Sequence, residues 1–260
     1  GHDYGVYWLE QTKIDGQRAW VKHLIDDTWS QGHAPLWVDM DNNGRKEYVS
    51  GKRFWAHEGR DPGARDPLTI YRYEFNKAAG TFQRFTIQAD GPAGTGLDPK
   101  AADLDADGDL DLFVARDNNQ GNRVWLNDGT GIFSDTGQNV GIGRTARTAL
   151  GDLDGDGDLD VFITNHNVEN PDEVWFNTGS GVFTKSHQTL DGISSSGVAL
   201  GDLDSDGDLD VFLGRTSHTE PNRVWLNDGT GIFSDTGQNV GIGRTARTAL
   251  GDLDGDGDLD

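Results

Sequence analysis

The chain has 260 residues, and its 44 Asp and Glu against 22 Lys and Arg leave a formal net charge of −22. Apolar residues at 34% with eight Trp suffice for a globular core, and no apolar run approaches the ~18 residues of a membrane-spanning helix. Cysteine is absent, which excludes disulfides and thiol chemistry, and no charged-then-apolar leader opens the chain, which begins at Gly1 rather than Met and so is compatible with an upstream segment.

In chain order, GVYWLEQ from residue 5 and WVKHLID from residue 20 are expected to be the third and fourth strands of a blade. Acidic loops then begin at Asp39, Asp103, Asp152, Asp202 and Asp252, spaced by 64, 49, 50 and 50 residues. A second motif follows three of these loops at an offset of 19, 20 and 20 residues: NRVWLNDGTGIF at 122, DEVWFNTGSGVF at 172 and NRVWLNDGTGIF at 222. In the first repeat TIYRYEFNKAAGTF takes its place, with Tyr71 expected where the others carry Trp125, Trp175 and Trp225. Residues 122–160 and 222–260 are identical over 39 positions, which implies a recent duplication of a two-repeat unit, an assembly error or an engineered repeat.

Each repeat reads as four short strands; in the third these are TALGDL, LDVFIT, EVWFN and VFTKS, rich in β-formers and punctuated by Gly, Asn and Asp. Helical periodicity is nowhere sustained. Four antiparallel strands in about 50 residues is the size of a β-propeller blade, whereas a β-sandwich has no reason to keep a fixed repeat. The expected architecture is therefore all-β, a single β-propeller over residues 1–260 and incomplete: a partial blade at 1–30, full blades at about 33–88, 98–138, 147–187 and 197–237, and a partial blade at 247–260.

The negative charge is concentrated in one kind of loop. Asp103, Asp105, Asp107, Asp109 and Asp111, with the matching fives Asp152, Asp154, Asp156, Asp158, Asp160, then Asp202, Asp204, Asp206, Asp208, Asp210, then Asp252, Asp254, Asp256, Asp258, Asp260, account for 20 acids. Asp39, Asp41 and Glu47 bring the total to 23, and the rest of the chain is close to neutral with 21 acids against 22 bases. Carboxylates packed this closely repel one another unless a cation is present. Side chains at positions 1, 3, 5 and 9 of the loop can converge on one ion with a carbonyl near position 7, while the Gly at position 6 permits the tight turn. Oxygen ligands in this number suit Ca²⁺ better than Mg²⁺ or Zn²⁺. The loop opens like an EF-hand but closes with Asp at position 9 between strands, without the Glu at position 12. The first loop, with Asp39, Asp41, Asn43 and Glu47, carries fewer charges and is expected to bind more weakly. The last has no strand after Asp260.

The recurrence of DxDxDGDxD with VWLNDGxGxF resembles the FG-GAP/VCBS-type repeats, the Ca²⁺-binding propeller blades of integrin α-subunit heads and of many exported bacterial proteins. Intact FG and GAP tripeptides are missing, and ALGDLD stands in their place. The resemblance, over about residues 33–260, implies one Ca²⁺ per acidic loop, up to five, as structural ions in a secreted, cell-surface or periplasmic protein. It also implies that the metal loops join first and second strands on one face, with ligands on the other.

The opposite face is then expected to be basic, with Lys52, Arg53, Arg60, Arg65, Arg116, Arg144, Arg147, Arg215, Arg244 and Arg247 beside His33, His57, His166 and His218. Lys52, Arg116, Asn165 and Arg215 fall at equivalent positions and would ring a channel mouth, where guanidinium groups suit carboxylates or sulfates; the alternative is that these arginines tie down loop carbonyls. GKRFWAHEGRDPGARDP at 51–67 is the longest such connection. Its Trp55 could stack on a sugar, and His57, Glu58, Arg60 and Asp61 offer acid, base and anion-binding groups. HEGRD lacks the zinc spacing of HExxH, and neither a GxSxG elbow, a phosphate loop nor a basic-aromatic nucleic-acid pattern occurs.

Two functions compete at this level. One is a binding or adhesion module, monomeric within a larger exported protein, that presents Lys52, Arg53, Trp55, Arg116 and Arg215 to an anionic glycan or a protein. The other is the propeller part of a carbohydrate lyase or dehydratase using His33, His57 and Arg60, because GHAPLWVDMDNNGRKEYVSGKRF resembles the opening blade of fungal aldos-2-ulose dehydratases and related bacterial proteins.

Overall fold

The computed structural model describes residues 3–52, 59–91, 93–96, 98–116, 119–167, 169–190 and 193–260. Among them every regular element is a β-strand, and no helix is long and apolar enough to cross a membrane. The residues fall into two compact units, Gly1–Asp39 with Asn43–Gly96, and Met40–Asn42 with Leu97–Asp260.

In the first unit β1 (Tyr4–Ile14) and β2 (Gln17–Ser30) form an antiparallel hairpin. Asp15 and Gly16 make its turn with φ of 50° and 80°, the left-handed pair that a two-residue hairpin favours. A four-stranded antiparallel sheet follows in chain order, β3 (Gly32–Val38), β4 (Glu47–Lys52), β5 (Leu68–Asn76) and β6 (Thr81–Gly91). Trp29, Tyr71 and Tyr73 form the core between hairpin and sheet, with Val6, Ile25, Tyr48 and Phe82 packed against them. Within it the Trp29 indole N–H donates to Tyr73 Oη at 2.7 Å, and the Tyr73 hydroxyl donates to Asp26 Oδ2 at 2.8 Å.

The second unit repeats the same four-stranded order three times. The sheets are β7 (Pro99–Ala102), β8 (Asp111–Val114), β9 (Arg123–Asn127), β10 (Phe133–Asp135); β11 (Thr145–Gly151), β12 (Asp160–Asn165), β13 (Glu173–Asn177), β14 (Phe183–Lys185); and β15 (Ser195–Gly201), β16 (Asp210–Arg215), β17 (Pro221–Asn227), β18 (Phe233–Asp235). A further strand, β19 (Val240–Ile242), pairs with β17. These are antiparallel blades of β-propeller type, as the repeat length leads one to expect.

Strand β12 shows why blades need neighbours. Its side chains alternate sides, so Val161 and Ile163 join a core with Leu104, Phe113 and Val124 of the preceding blade, while Phe162 joins one with Val211, Leu213 and Trp225 of the next. Edge-on ring pairs recur at each interface, Phe113 on Phe183 at 5.7 Å and Phe162 on Phe233 at 5.8 Å. Each large apolar side chain buried this way contributes roughly 1.5–3 kcal/mol.

Strand register corrects one expectation. Leu112 faces Trp125, Val161 faces Trp175 and Val211 faces Trp225, and at the equivalent place in the first repeat Tyr48 faces Tyr73. Tyr73, two residues beyond Tyr71, therefore takes the tryptophan position; the denser aromatic spacing of TIYRYEF hides the alignment.

The identical copies also part company. Leu153 is 1% exposed whereas its counterpart Leu253 is 84% exposed, and β11 has no equivalent strand at residues 245–251. The later copy has no following strand within residues 1–260 on which to pair.

Candidate metal centres

Each acidic loop is shaped first by its own backbone donors. At position 1, Asp103, Asp152 and Asp202 accept through Oδ2 from the N–H of Gly108, Gly157 and Gly207 at 3.1, 3.0 and 3.0 Å. These glycines have φ of 95°, 94° and 100°, a region that penalises a side chain. At position 5, Asp107, Asp156 and Asp206 accept from the N–H two residues on, at 2.9, 2.9 and 3.0 Å.

Position 9 closes the loop. Asp160 is fully buried, accepting from Leu153 N–H at 2.9 Å through Oδ2 and from Asn177 N–H at 2.8 Å through Oδ1. Asp111 does the same with Leu104 and Asn127 at 2.8 Å each, and Asp210 with Leu203 at 2.7 Å and Asn227 at 2.8 Å. Burial pushes the Asp111 and Asp160 carboxyls up to about 6, against the opposing pull of their amide donors, and it raises Asp210 in the same way.

Within these loops one carboxylate oxygen each from Asp103, Asp105 and Asp111 lies within 4.8 Å of the others, and Asp152, Asp154 and Asp160 repeat the arrangement. The third group is Asp202, Asp204 and Asp206, and the last is Asp252, Asp254 and Asp260, all exposed. Of the remaining loop acids, Asp107, Asp109, Asp156, Asp158, Asp208, Asp210, Asp256 and Asp258 are not in these groups. Asp109 instead accepts a bond from the Asn42 side-chain amide. In the first loop Asp39 accepts from Asn43 N–H at 3.2 Å and Gly44 N–H at 2.8 Å; Glu47, like Asp39, belongs to the first unit, and Asp41 to the second.

The donor set fits a hard cation. Asp103 Oδ1 and Asp105 Oδ1 are buried and have no hydrogen-bond partner, and burial followed by the neighbouring charges of Asp107 and Asp103 raises the Asp105 carboxyl. Buried carboxylate oxygens without donors are costly unless something positive satisfies them.

The expected basic ring has a different fate. Arg215 is 0%, Lys52 1% and Arg116 5% exposed, so none of the three presents its charge to a ligand. Arg215 donates to Ile193 O at 2.9 Å and Ser195 Oγ at 2.8 Å, with Asp172 at 3.8 Å; Arg116 donates to Gly121 O at 3.0 Å and also bonds the Gln120 side chain. They tie down loop groups, because a strand-end arginine surrounded by carbonyls reaches those before it reaches solvent. Asn165, also buried, donates to Pro171 O at 2.8 Å.

Other basic residues do gather in the second unit. Arg147, His166 and Arg244 line a hollow of about 140 Å³, and Arg147 and Arg247 line another of about 130 Å³ with Lys100 and Asp98. Arg144 and His218 are exposed, as are Arg60 and Arg65 in the first unit; His33 is half-buried, its carbonyl accepting from Thr95 Oγ1 at 2.7 Å. Arg53, Trp55, His57 and Glu58 lie outside the described residues.

Four-stranded blades whose first turn is an acidic cluster define a β-propeller-type repeat protein with candidate cation sites. The chain belongs to the FG-GAP-like repeat family, whose model matches residues 103–163, 152–213 and 202–260. No curated protein gives a significant match. Among solved structures the chain is similar to the exotype rhamnogalacturonan lyase YesX, with 18% identity over 74% of this chain and 30% of that one and a TM-score of 0.45. It is similar also to Bacillus licheniformis rhamnogalacturonan lyase PL11, at 16% identity over 79% and 31% with a TM-score of 0.45. For the V. cholerae biofilm matrix protein Bap1 the values are 16% identity, 87% and 34%, and 0.38. The chain thus spans about a third of the length of each of these structures.

Proposed function

We propose that this chain is a calcium-stabilised binding module of an exported protein, in which the repeats are the scaffold and an anionic glycan or a protein is the ligand. The observation that carries the calcium assignment is the pair of buried, donor-less oxygens of Asp103 and Asp105 inside an all-oxygen cluster. Asp103, Asp105 and Asp111 would hold one ion, Asp152, Asp154 and Asp160 a second, and Asp202, Asp204 and Asp206 a third. A bound cation would neutralise the repulsion within each loop and so stabilise the turn joining the first two strands of a blade.

An ion present at about 100 times its dissociation constant adds roughly 2.7 kcal/mol per site. Three such sites would approach the ~5–15 kcal/mol total of a typical domain. Millimolar extracellular calcium would fill such sites, which supports the exported location. Arg147, Arg244 and Arg247, gathered in the second unit, are the groups proposed to meet acidic ligands there.

Titration calorimetry of the metal-stripped chain tests this reading. At least three calcium ions should bind per chain, with magnesium at the same concentration failing to displace them. Binding of less than one ion per chain, or equal competition by magnesium, would rule the calcium assignment out.

A further inference from the structure

The first repeat departs from the pattern that the other three share, and four of its departures fall in one place. By strand register Trp37 stands where the others have Ala101, Leu150 and Leu200. Phe75 stands where they have Asn127, Asn177 and Asn227, two residues beyond the tyrosine or tryptophan that marks the strand. In the acidic loop Arg45 and Lys46 replace the Asp-Leu pairs at 109–110, 158–159 and 208–209.

All four substituted residues line one cleft of about 510 Å³ that lies wholly within the first unit. Such a volume sits in the ~300–1,000 Å³ range of small-ligand sites. Its floor is an aromatic cluster in which Phe75 lies 5.0 Å from Phe82 and 5.7 Å from Trp8 between ring centroids. Packing of the hairpin on the sheet accounts for that floor. It does not account for Trp37, which is 52% exposed on the wall beside Tyr48. At the mouth stand three exposed cations, Arg45, Lys46 and Lys77, while Glu74 is held by Arg72 at 2.8 Å and Glu47 is 1% exposed. The charge that meets a ligand there is therefore positive.

We infer that this cleft binds a carboxylate-bearing sugar, a uronate ring whose C–H face lies on the Trp37 indole and whose carboxylate meets Arg45 and Lys46. An exposed indole offers a flat apolar face, and a guanidinium matches a carboxylate through paired hydrogen bonds. A purely apolar ligand would leave the three cations unused, and a small inorganic anion would leave the aromatic wall unused. The inference rests on the reading of the chain as a binding module, and it identifies a site apart from the arginines of the second unit.

The test uses the whole calcium-loaded chain, with trigalacturonate and triglucuronate as anionic probes and cellotriose as the neutral one, read by calorimetry and tryptophan fluorescence. At least one uronate trisaccharide should bind saturably and perturb tryptophan emission. Trp37→Ala and the double change Arg45→Ala, Lys46→Ala should each weaken it by about tenfold or more, the equivalent of ~1.4 kcal/mol. Both variants alter exposed side chains, so each should keep the parent's calcium-dependent melting shift. No saturable binding by either uronate, binding that Trp37→Ala leaves unchanged, or cellotriose binding as tightly as the uronates would overturn the inference. Loss of the calcium shift in the parent chain would instead overturn the module reading, so the two failures are distinguishable.

Discussion

The side-chain amide of Asn177 donates to the backbone carbonyl of Leu104, 73 residues earlier, at 2.8 Å. Leu104 lies between positions 1 and 3 of the preceding blade's acidic loop, and Asn127 to Met40 at 2.7 Å and Asn227 to Leu153 at 2.9 Å repeat the relationship. One asparagine in each of the three blades of the second unit thus couples a strand end to the neighbouring loop. Asn177→Ala would leave a buried carbonyl without its donor, at a cost of about 1–3 kcal/mol. Urea unfolding in calcium should show that loss, together with weaker calcium binding; an unchanged midpoint would mean the bond is idle.

Gly157 isolates the backbone contribution of the loop. Its φ is 94°, and a methyl group built there meets nothing within 4 Å. Gly157→Ala therefore costs conformational strain alone, about 1–2 kcal/mol, and should lower calcium affinity by misplacing the N–H that fixes Asp152. Calorimetry on the variant checks this, and parent-like affinity would show that the turn tolerates a side chain.

Arg215 should behave as a structural residue. It is fully buried, bonded to Ile193 O and Ser195 Oγ, and 3.8 Å from Asp172, itself 1% exposed. Arg215→Met would remove the positive charge beside the buried Asp172 carboxylate, leaving it to neutral donors such as Asn165 N–H at 2.9 Å and Ser195 Oγ at 2.6 Å, at a cost of up to roughly 3–5 kcal/mol. The expected readout is a lower denaturation midpoint; a variant as stable as the parent would show that the buried pair contributes nothing.

These residues show what was legible in the sequence. The blade, its four strands and the acidic loops could be read because each rests on local chemistry: alternating β-formers, turn glycines and carboxylates at fixed spacing. The burial of Arg215 and Arg116 could not, since side chains at strand ends fold either toward carbonyls or toward solvent, and spacing does not distinguish the two. The tryptophan position falls on Tyr73 and not on Tyr71, because alternate aromatics in TIYRYEF offer two registers that the pairing with Tyr48 resolves. Residues 222–260 match 122–160 in sequence and differ in burial, because packing depends on the next blade as well as on the strand itself. The Trp37 cleft draws on β1, β3 and β5 together, and no single motif announces it.

The first unit should be acid-sensitive through Asp26. Burial pushes this carboxyl up, but bonds from Thr28, Tyr73 and Arg84 outweigh it and hold it below its ordinary value. A depressed carboxyl contributes stability above its unfolded pKa of ~3.9, and that contribution is lost as pH falls through the lower folded value. Near-ultraviolet circular dichroism, which reports Trp29 and Tyr73, should therefore show a loss below about pH 4 that Asp26→Asn removes while lowering stability at neutral pH. An acid transition identical in the variant would assign the sensitivity elsewhere.

The most direct measurement is thermal unfolding of the chain in excess EGTA, in millimolar calcium and in millimolar magnesium. Three filled loops should raise the melting temperature by more than about 5 °C in calcium, with little change in magnesium. Equal melting temperatures in all three solutions would contradict the assignment of the acidic loops as structural calcium sites.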